Sequence, residues 1–156
     1  MLKKFSFLLI LILILTACSE EEAKLATVIG DIEENIDVEI IYNHSEAITF
    51  PAVVRSSGKK PVETEYKGVE LKALFETLGI DTSKFSRVTF NAYDGYRVIL
   101  SMEEINEPSN VYLTFERDGE IMKSKKEGGN GPFQLVIRRD PFSQRWIKHV
   151  DKIIFQ

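Results

Sequence analysis

Phe85-Ser86-Arg87-Val88-Thr89-Phe90-Asn91-Ala92-Tyr93-Asp94-Gly95-Tyr96-Arg97-Val98-Ile99-Leu100 decides the fold class. It predicts two strands, 85–92 and 96–100, joined across Asp94-Gly95, because that dipeptide reaches the positive φ a tight hairpin turn demands. Upstream, Leu71, Leu74, Phe75 and Leu78 recur at helical spacing, so Val69 to Leu78 reads as an amphipathic helix that Gly79 caps. Further upstream come a strand at Val62 to Tyr66, a turn at Ser56 to Pro61, and a bent or edge strand at Ala47 to Val54 around Pro51. Asp37 to Tyr42 alternates in part and reads as another strand. Downstream, Ser101-Met102-Glu103-Glu104 has the form of a capping box and opens a short helical turn. A strand at Val111 to Glu116 leads to a second hairpin signal, Asp118-Gly119. Lys123 to Asn130 is a polar loop, Phe133 to Arg138 an apolar strand, and Trp146 to Phe155 the last strand region. Many strands and one clear helix define an α+β domain.

The N-terminus carries an address. Lys3 and Lys4 precede Phe5 to Leu15, an uncharged apolar stretch that ends in Leu15-Thr16-Ala17-Cys18. At about 11 residues it is shorter than the ~20 needed to span a bilayer core. The order of charge, apolar run and small residues marks a cleaved signal, and the last four residues resemble a lipobox. That resemblance implies a signal peptide over 1–17 and acylated Cys18 as first residue of the mature protein. The polar, acidic segment after it, with Glu20, Glu21 and Glu22, reads as a solvated tether over 18–30. The domain itself is expected over 31–156. The expected location is the cell membrane or outer membrane, lipid-anchored on the extracytoplasmic side, with the bilayer as a partner through Cys18.

The bulk numbers narrow the rest. About 130 residues after signal and tether make one domain of ordinary size. Hydrophobic residues are 44% and charged residues 28%, a composition that supports a packed core. The net charge of −4 becomes −6 without Lys3 and Lys4. No basic stripe or basic helix is present, so nucleic acid is not an expected partner. Cys18 is the only cysteine, so an intrachain disulfide is impossible and stability must come from packing.

Most catalytic templates fail. His44 and His149 are the only histidines, and neither H-x-x-x-H nor C-x-x-C occurs, so a zinc site is not expected. No G-x-S-x-G nucleophile elbow is present. Gly128-Gly129-Asn130-Gly131-Pro132 lacks the lysine and hydroxyl of a P-loop and reads first as a loop between strands. Asn91 to Tyr96 has two readings. One is an ordinary hairpin with aromatic cross-strand partners. In the other, Asp94 accepts from N–H groups of a flat heterocycle beside a stacking tyrosine. Arg138-Arg139-Asp140 with Arg145-Trp146-Ile147-Lys148-His149 also has two. It is either a solvated edge with Trp146 in the core, or a site where cations and an indole face meet an anionic or aromatic ligand.

Four segments in order resemble one family. Tyr66-Lys67-Gly68-Val69-Glu70-Leu71-Lys72-Ala73-Leu74-Phe75 is similar to its W/Y-x-G-V-x-L-x-x-L-L segment. Val88 to Tyr96 is similar to its strand ending in D-G-Y. Gly131-Pro132-Phe133-Gln134-Leu135-Val136-Ile137 resembles G-P-x-R-L-V-x-P, and Trp146 to Ile153 resembles S-V-K-W-V-x-x-I. The family is the molybdopterin-binding domain of the sulfite oxidase type, and the match runs from about Asp37 to Phe155. The resemblance implies a mixed α+β domain with a pterin-sized groove. It places Lys148 where the family carries a lysine near the cofactor, and Asp94 and Tyr96 on the D-G-Y turn. Gln134 stands in place of the frequent arginine and His149 in place of the usual tryptophan. The family's molybdenum-ligating cysteine is missing: Val53 to Pro61 offers Arg55, Ser56 and Ser57, and a serine replaces a soft thiolate poorly.

These readings together predict a lipid-anchored binding domain for a pterin or similar planar small molecule, with no metal and no catalytic residue assigned. Asp94, Tyr96, Arg139, Trp146 and Lys148 are the expected ligand-binding residues. Asp94 would read the ring edge, Trp146 or Tyr96 stack on a face, and Arg139 and Lys148 hold an anionic tail. The alternatives are a molybdopterin-dependent oxidoreductase of the sulfite oxidase kind and a ligand-free interaction module. A membrane sensor or a redox protein is the partner class in view.

Overall fold

The computed structural model describes residues 23–156. The expected signal peptide over 1–17 and Cys18 lie outside the described residues. Ten strands form two five-stranded sheets. The first sheet runs β2-β1-β10-β5-β6, from β1 (Ala26–Ile29), β2 (Ile32–Asn35), β5 (Arg87–Ala92), β6 (Arg97–Ser101) and β10 (Val150–Phe155). The second runs β3-β4-β7-β8, from β3 (Ile48–Val54), β4 (Val62–Glu70), β7 (Val111–Arg117) and β8 (Glu120–Ile121), with β9 (Gln134–Ile137) also on β7. β1 and β10 pair in parallel; the other pairings are antiparallel. Among the described residues three short α-helices accompany the sheets: α1 (Glu39–Tyr42), α2 (Leu71–Thr77) and α3 (Met102–Asn106). It is a small, strand-rich mixed domain, as the sequence predicts.

Local signals translate directly. β5 and β6 pair across the Asp94-Gly95 turn, and β7 and β8 across Asp118-Gly119, where both turn residues have positive φ, 53° and 82°. The Ser101 hydroxyl accepts from Glu104 N at 3.1 Å while Glu104 Oε2 accepts from Ser101 N at 3.1 Å, the reciprocal capping box. Gly79 follows α2 with φ +68°, and Pro51 lies on the outer strand of its sheet, where a missing N–H costs no ladder bond.

Other expectations are corrected. Asp37 to Tyr42 is not a strand: Asp37 Oδ1 accepts from Glu39 N at 3.1 Å, and α1 follows. Ile41 is buried, so one helical turn satisfies the segment's apolar demand. The helix expected over 69–78 is shorter, because Val69 and Glu70 belong to β4. The final strand begins at Val150; a 3₁₀ turn, Ser143–Arg145, precedes it. The tether boundary at residue 30 is late. Leu25 is buried, and Ala26–Ile29 pairs with Lys152–Phe155, a partner too distant in sequence for local pattern to reveal.

The core lies under α2 and between the sheets. Leu71, Leu74 and Phe75 are fully buried, and the Phe75 ring meets Phe155 edge-on at 4.9 Å. Tyr42 at the end of α1 meets Phe115 edge-on at 5.4 Å and stacks on Phe133 at 5.6 Å, which fixes α1 against the second sheet. Among the described residues no helix is long and apolar enough to cross a membrane.

Candidate functional site

Segments leading into or out of strands of both sheets line a cleft of about 600 Å³. That is within the ~300–1,000 Å³ of small-molecule sites. The β5–β6 turn supplies one wall. Gly95 N donates to Ala92 O at 2.9 Å, Gly95 takes φ +88°, and Tyr96 N donates to Asp94 Oδ1 at 3.2 Å. Tyr93 N then donates to His149 O at 3.2 Å, so the turn is locked to the residue before β10. On the other side, His149 N donates to Asn130 O at 3.0 Å and Val150 N to Phe133 O at 2.9 Å.

The glycine run explains the third wall. Gly131 N donates to Lys123 O at 2.8 Å. A Cβ on Gly131 would lie 2.8 Å from Met122 Cβ, and one on Gly129 2.8 Å from Lys123 Cβ, closer than real side chains approach. These glycines let two backbone segments touch. The loop is pinned by Glu127 Oε2, which accepts from the Ser124 hydroxyl at 2.7 Å and from Ser124 N at 3.1 Å.

Lys24, Tyr42, Tyr93, Lys125, His149 and Asp151 bring most of the chemistry to this cleft. Lys125 Nζ sits 5.2 Å from the Tyr93 ring centre and 3.4 Å from Asp94 Oδ2. The Tyr96 N–H, and then Lys125, hold the Asp94 carboxyl below its usual range. Asp151 goes the other way, because burial pushes its carboxyl up. Burial and Glu39 likewise push the Tyr42 hydroxyl up, so it stays a neutral donor and acceptor.

None of the five expected site residues lines the cleft. Asp94 reaches its rim through Lys125. Tyr96 points its hydroxyl the other way and donates to Gln144 O at 3.3 Å. Arg139 pairs with Glu107 at 2.9 Å and donates to Pro108 O at 3.3 Å. Lys148 is exposed. Trp146 is 8% exposed; its indole N–H donates to Ile137 O at 2.9 Å and its ring meets Tyr66 edge-on at 6.1 Å. It is a core residue, and the stacking role expected of it does not follow from this position. The residues that sequence reasoning passed over are Tyr42, Lys125 and His149. His149 had a signal, as the residue that replaces a tryptophan in the fourth segment. Tyr93 lay inside the D-G-Y segment without being singled out.

No family model matches the chain, and no curated protein matches it. Among solved structures it is similar to the sulfane dehydrogenase SoxCD from Paracoccus pantotrophus, with a TM-score of 0.66 and 17% identity. The match covers 90% of this chain and 39% of that one, so the chain spans about two fifths of its neighbour's length. The likeness shows a related fold, a small two-sheet domain with few helices.

Proposed function

We propose that this protein is a lipid-anchored extracytoplasmic domain that binds a pterin or a similar planar heterocycle without redox chemistry. The observation that carries the reading is the cleft beside the Asp94-Gly95 hairpin. It is large enough for a fused bicyclic ring and is lined by Tyr42, Tyr93 and His149 with Lys125 at its edge. Aromatic and imidazole groups supply contact area for a ring, and a few polar groups fix its orientation. Anchoring rests on Cys18 and the signal before it. A membrane sensor is the proposed recipient of the bound state.

The metal half of a molybdopterin does not fit the donors present. The turn between β3 and β4 carries Arg55, Ser56 and Ser57 where the family carries its cysteine, and Arg55 N is engaged by Ser143 Oγ at 2.9 Å. The chain's one cysteine is Cys18. Among the described residues no three His, Cys, Asp or Glu side chains converge as a metal site. A metal-free ring suits the cleft better.

Calorimetric titration of the mature protein with lumazine and with a tetrahydropterin tests the proposal. Micromolar affinity, about −8 kcal/mol, is expected. No heat with either, together with no pterin in extracts of protein purified from native membranes, would sink it. The likeness to part of a dehydrogenase favours a second reading as an oxidoreductase domain. Stoichiometric molybdenum in the natively purified protein would establish that reading instead.

A further inference from the structure

Three residues other than glycine have positive φ among the described residues: Ser109, Asp118 and His149. Asp118 sits in a hairpin turn and Ser109 in the turn after α3, both ordinary places for it. His149 is different. It stands immediately before β10 with φ +57°, a conformation that costs a bulky side chain of order 1–3 kcal/mol and persists only where the surroundings enforce it. Here they do: His149 N and O are both bonded, to Asn130 O and Tyr93 N.

The ring is as constrained as the backbone. His149 is 6% exposed. Its Nδ1 lies 2.8 Å from Gly131 O. A carbonyl oxygen only accepts, so Nδ1 carries the hydrogen, and Nε2 is the nitrogen whose lone pair the uncharged tautomer offers. Nε2 has no hydrogen-bond partner among the described residues, and the side chain lines the cleft. The Tyr93 ring stands 5.7 Å away at 62°, a wall beside the imidazole. Charged groups nearby are Lys125 and Asp94 from the facing loop and turn, and Asp151 from the same strand entry.

We infer that His149 determines ligand specificity: its Nε2 lone pair accepts a hydrogen bond from a ring N–H of the planar molecule in the cleft. The assignment rests on the proposed ring-binding function and narrows it to heterocycles that present an N–H edge. An oxygen-only ring edge offers Nε2 no donor, and a desolvated lone pair without a donor is unfavourable.

The test compares lumazine, which carries two ring N–H groups, with 1,3-dimethyllumazine, which carries none, on the full mature chain. Wild-type protein is expected to favour lumazine at least tenfold. His149→Asn, which tolerates positive φ, is expected to lose that preference to within twofold. A retained preference in the variant, or equal binding of both rings by wild type, overturns the role of His149 and leaves planar-ring binding standing. Failure of wild type to bind either ring overturns both. Nitrogen-15 imidazole spectra give a readout that needs no variant. Nδ1 is expected protonated and Nε2 bare, with the Nε2 resonance moving on addition of lumazine and not of the dimethyl form. A bare Nδ1, or an Nε2 resonance that lumazine leaves in place, overturns the inference even if the variant fails to fold.

Discussion

Arg145 Nη1 donates to Glu104 Oε1 at 2.8 Å, which ties the turn before β10 to the first turn of α3. The same guanidinium donates from Nε to Asp140 Oδ2 at 2.8 Å and forms a second, shorter contact with the other Asp140 oxygen. One side chain thus clamps the segment that carries Ser143 and Gln144, the partners of Arg55 and Tyr96. Burial pushes the Glu104 carboxyl up, but Arg145 and Ser101 pull harder, so it lies below the usual range. A carboxylate with a depressed folded pKa stabilises the fold above its unfolded value, about 4.3 for glutamate, and that contribution fades as pH falls through the folded value. The clamp is therefore intact at neutral pH and fails in acid. Arg145→Met is expected to cost about 1 kcal/mol at pH 7, a figure limited by the side chain's 40% exposure. The difference from wild type should shrink below about pH 4. Urea unfolding at pH 7 and pH 3 checks both statements.

Asp151 gives the opposite sign. Burial raises its folded pKa, so the ionised form weakens the fold at every pH above that value, and the penalty disappears below the unfolded value of about 3.9. Asp151→Asn is expected to stabilise the protein at pH 7 by on the order of 0.5 kcal/mol, or roughly 1–2 °C in Tm. It should do nothing at pH 3. Thermal unfolding followed by circular dichroism at the two pH values is the measurement, and a loss of stability at pH 7 would contradict this account.

Trp146 is the chain's one tryptophan, which makes its environment easy to read. Packed against Tyr66 with its N–H on Ile137 O, it should emit at short wavelength and resist iodide quenching. Trp146→Phe removes a buried donor and leaves a smaller ring, at an expected cost of about 2–3 kcal/mol. Lumazine affinity should stay within twofold, because the indole lies outside the cleft. A tenfold loss of affinity with unchanged stability would move the ligand to the loop between β9 and β10.

The elements legible in the sequence were those whose cause is local. Asp94-Gly95, Asp118-Gly119 and the Ser101–Glu104 box each act within four residues, so the pattern carries the structure. β1 was not legible, because Ala26–Ile29 owes its strand to Lys152–Phe155 at the far end of the chain. α1 was misread because Val38, Ile40 and Tyr42 alternate like a strand while only Ile41 is fully buried. At the cleft, the turn of the D-G-Y hairpin contributes Tyr93, while Asp94 and Tyr96 of that motif stay out of the lining. Which way each tyrosine faces is set by Gln144 and His149, residues that no local window contains. The role of His149 depends on a positive φ and a carbonyl partner at Gly131, both tertiary facts.

Cys18 permits a direct test of the address. If it carries the lipid, Cys18→Ala protein should lose metabolic palmitate label and keep the uncleaved signal. The described domain, residues 23–156, should be unaffected, so detergent-solubilised wild type and the variant are expected to bind lumazine alike. Continued membrane retention of a processed, label-free variant would show that the anchor lies elsewhere.

Gly131 links the fold to the proposed specificity, and its substitution separates the two effects. Its backbone conformation is open to alanine, since its φ is not positive, so any cost comes from space. An alanine Cβ would lie 2.8 Å from both Met122 C and Met122 Cβ, and Met122 belongs to the backbone segment that the glycine run approaches. Accommodation must move the 129–131 loop or Met122, at an expected cost of about 1–3 kcal/mol. Because the Gly131 carbonyl fixes the His149 tautomer at 2.8 Å, the same displacement loosens the imidazole. Gly131→Ala is therefore expected to reduce the preference for lumazine over 1,3-dimethyllumazine by about fivefold under conditions where the variant is still fully folded. Gly68→Ala supplies the control: its Cβ would lie 2.7 Å from Thr114 Cα in the β4–β7 pair, outside the cleft lining. It should destabilise to a similar degree while leaving the preference unchanged. Equal loss of preference in both variants would mean that global loosening, and not the carbonyl on His149, governs how the cleft reads its ligand.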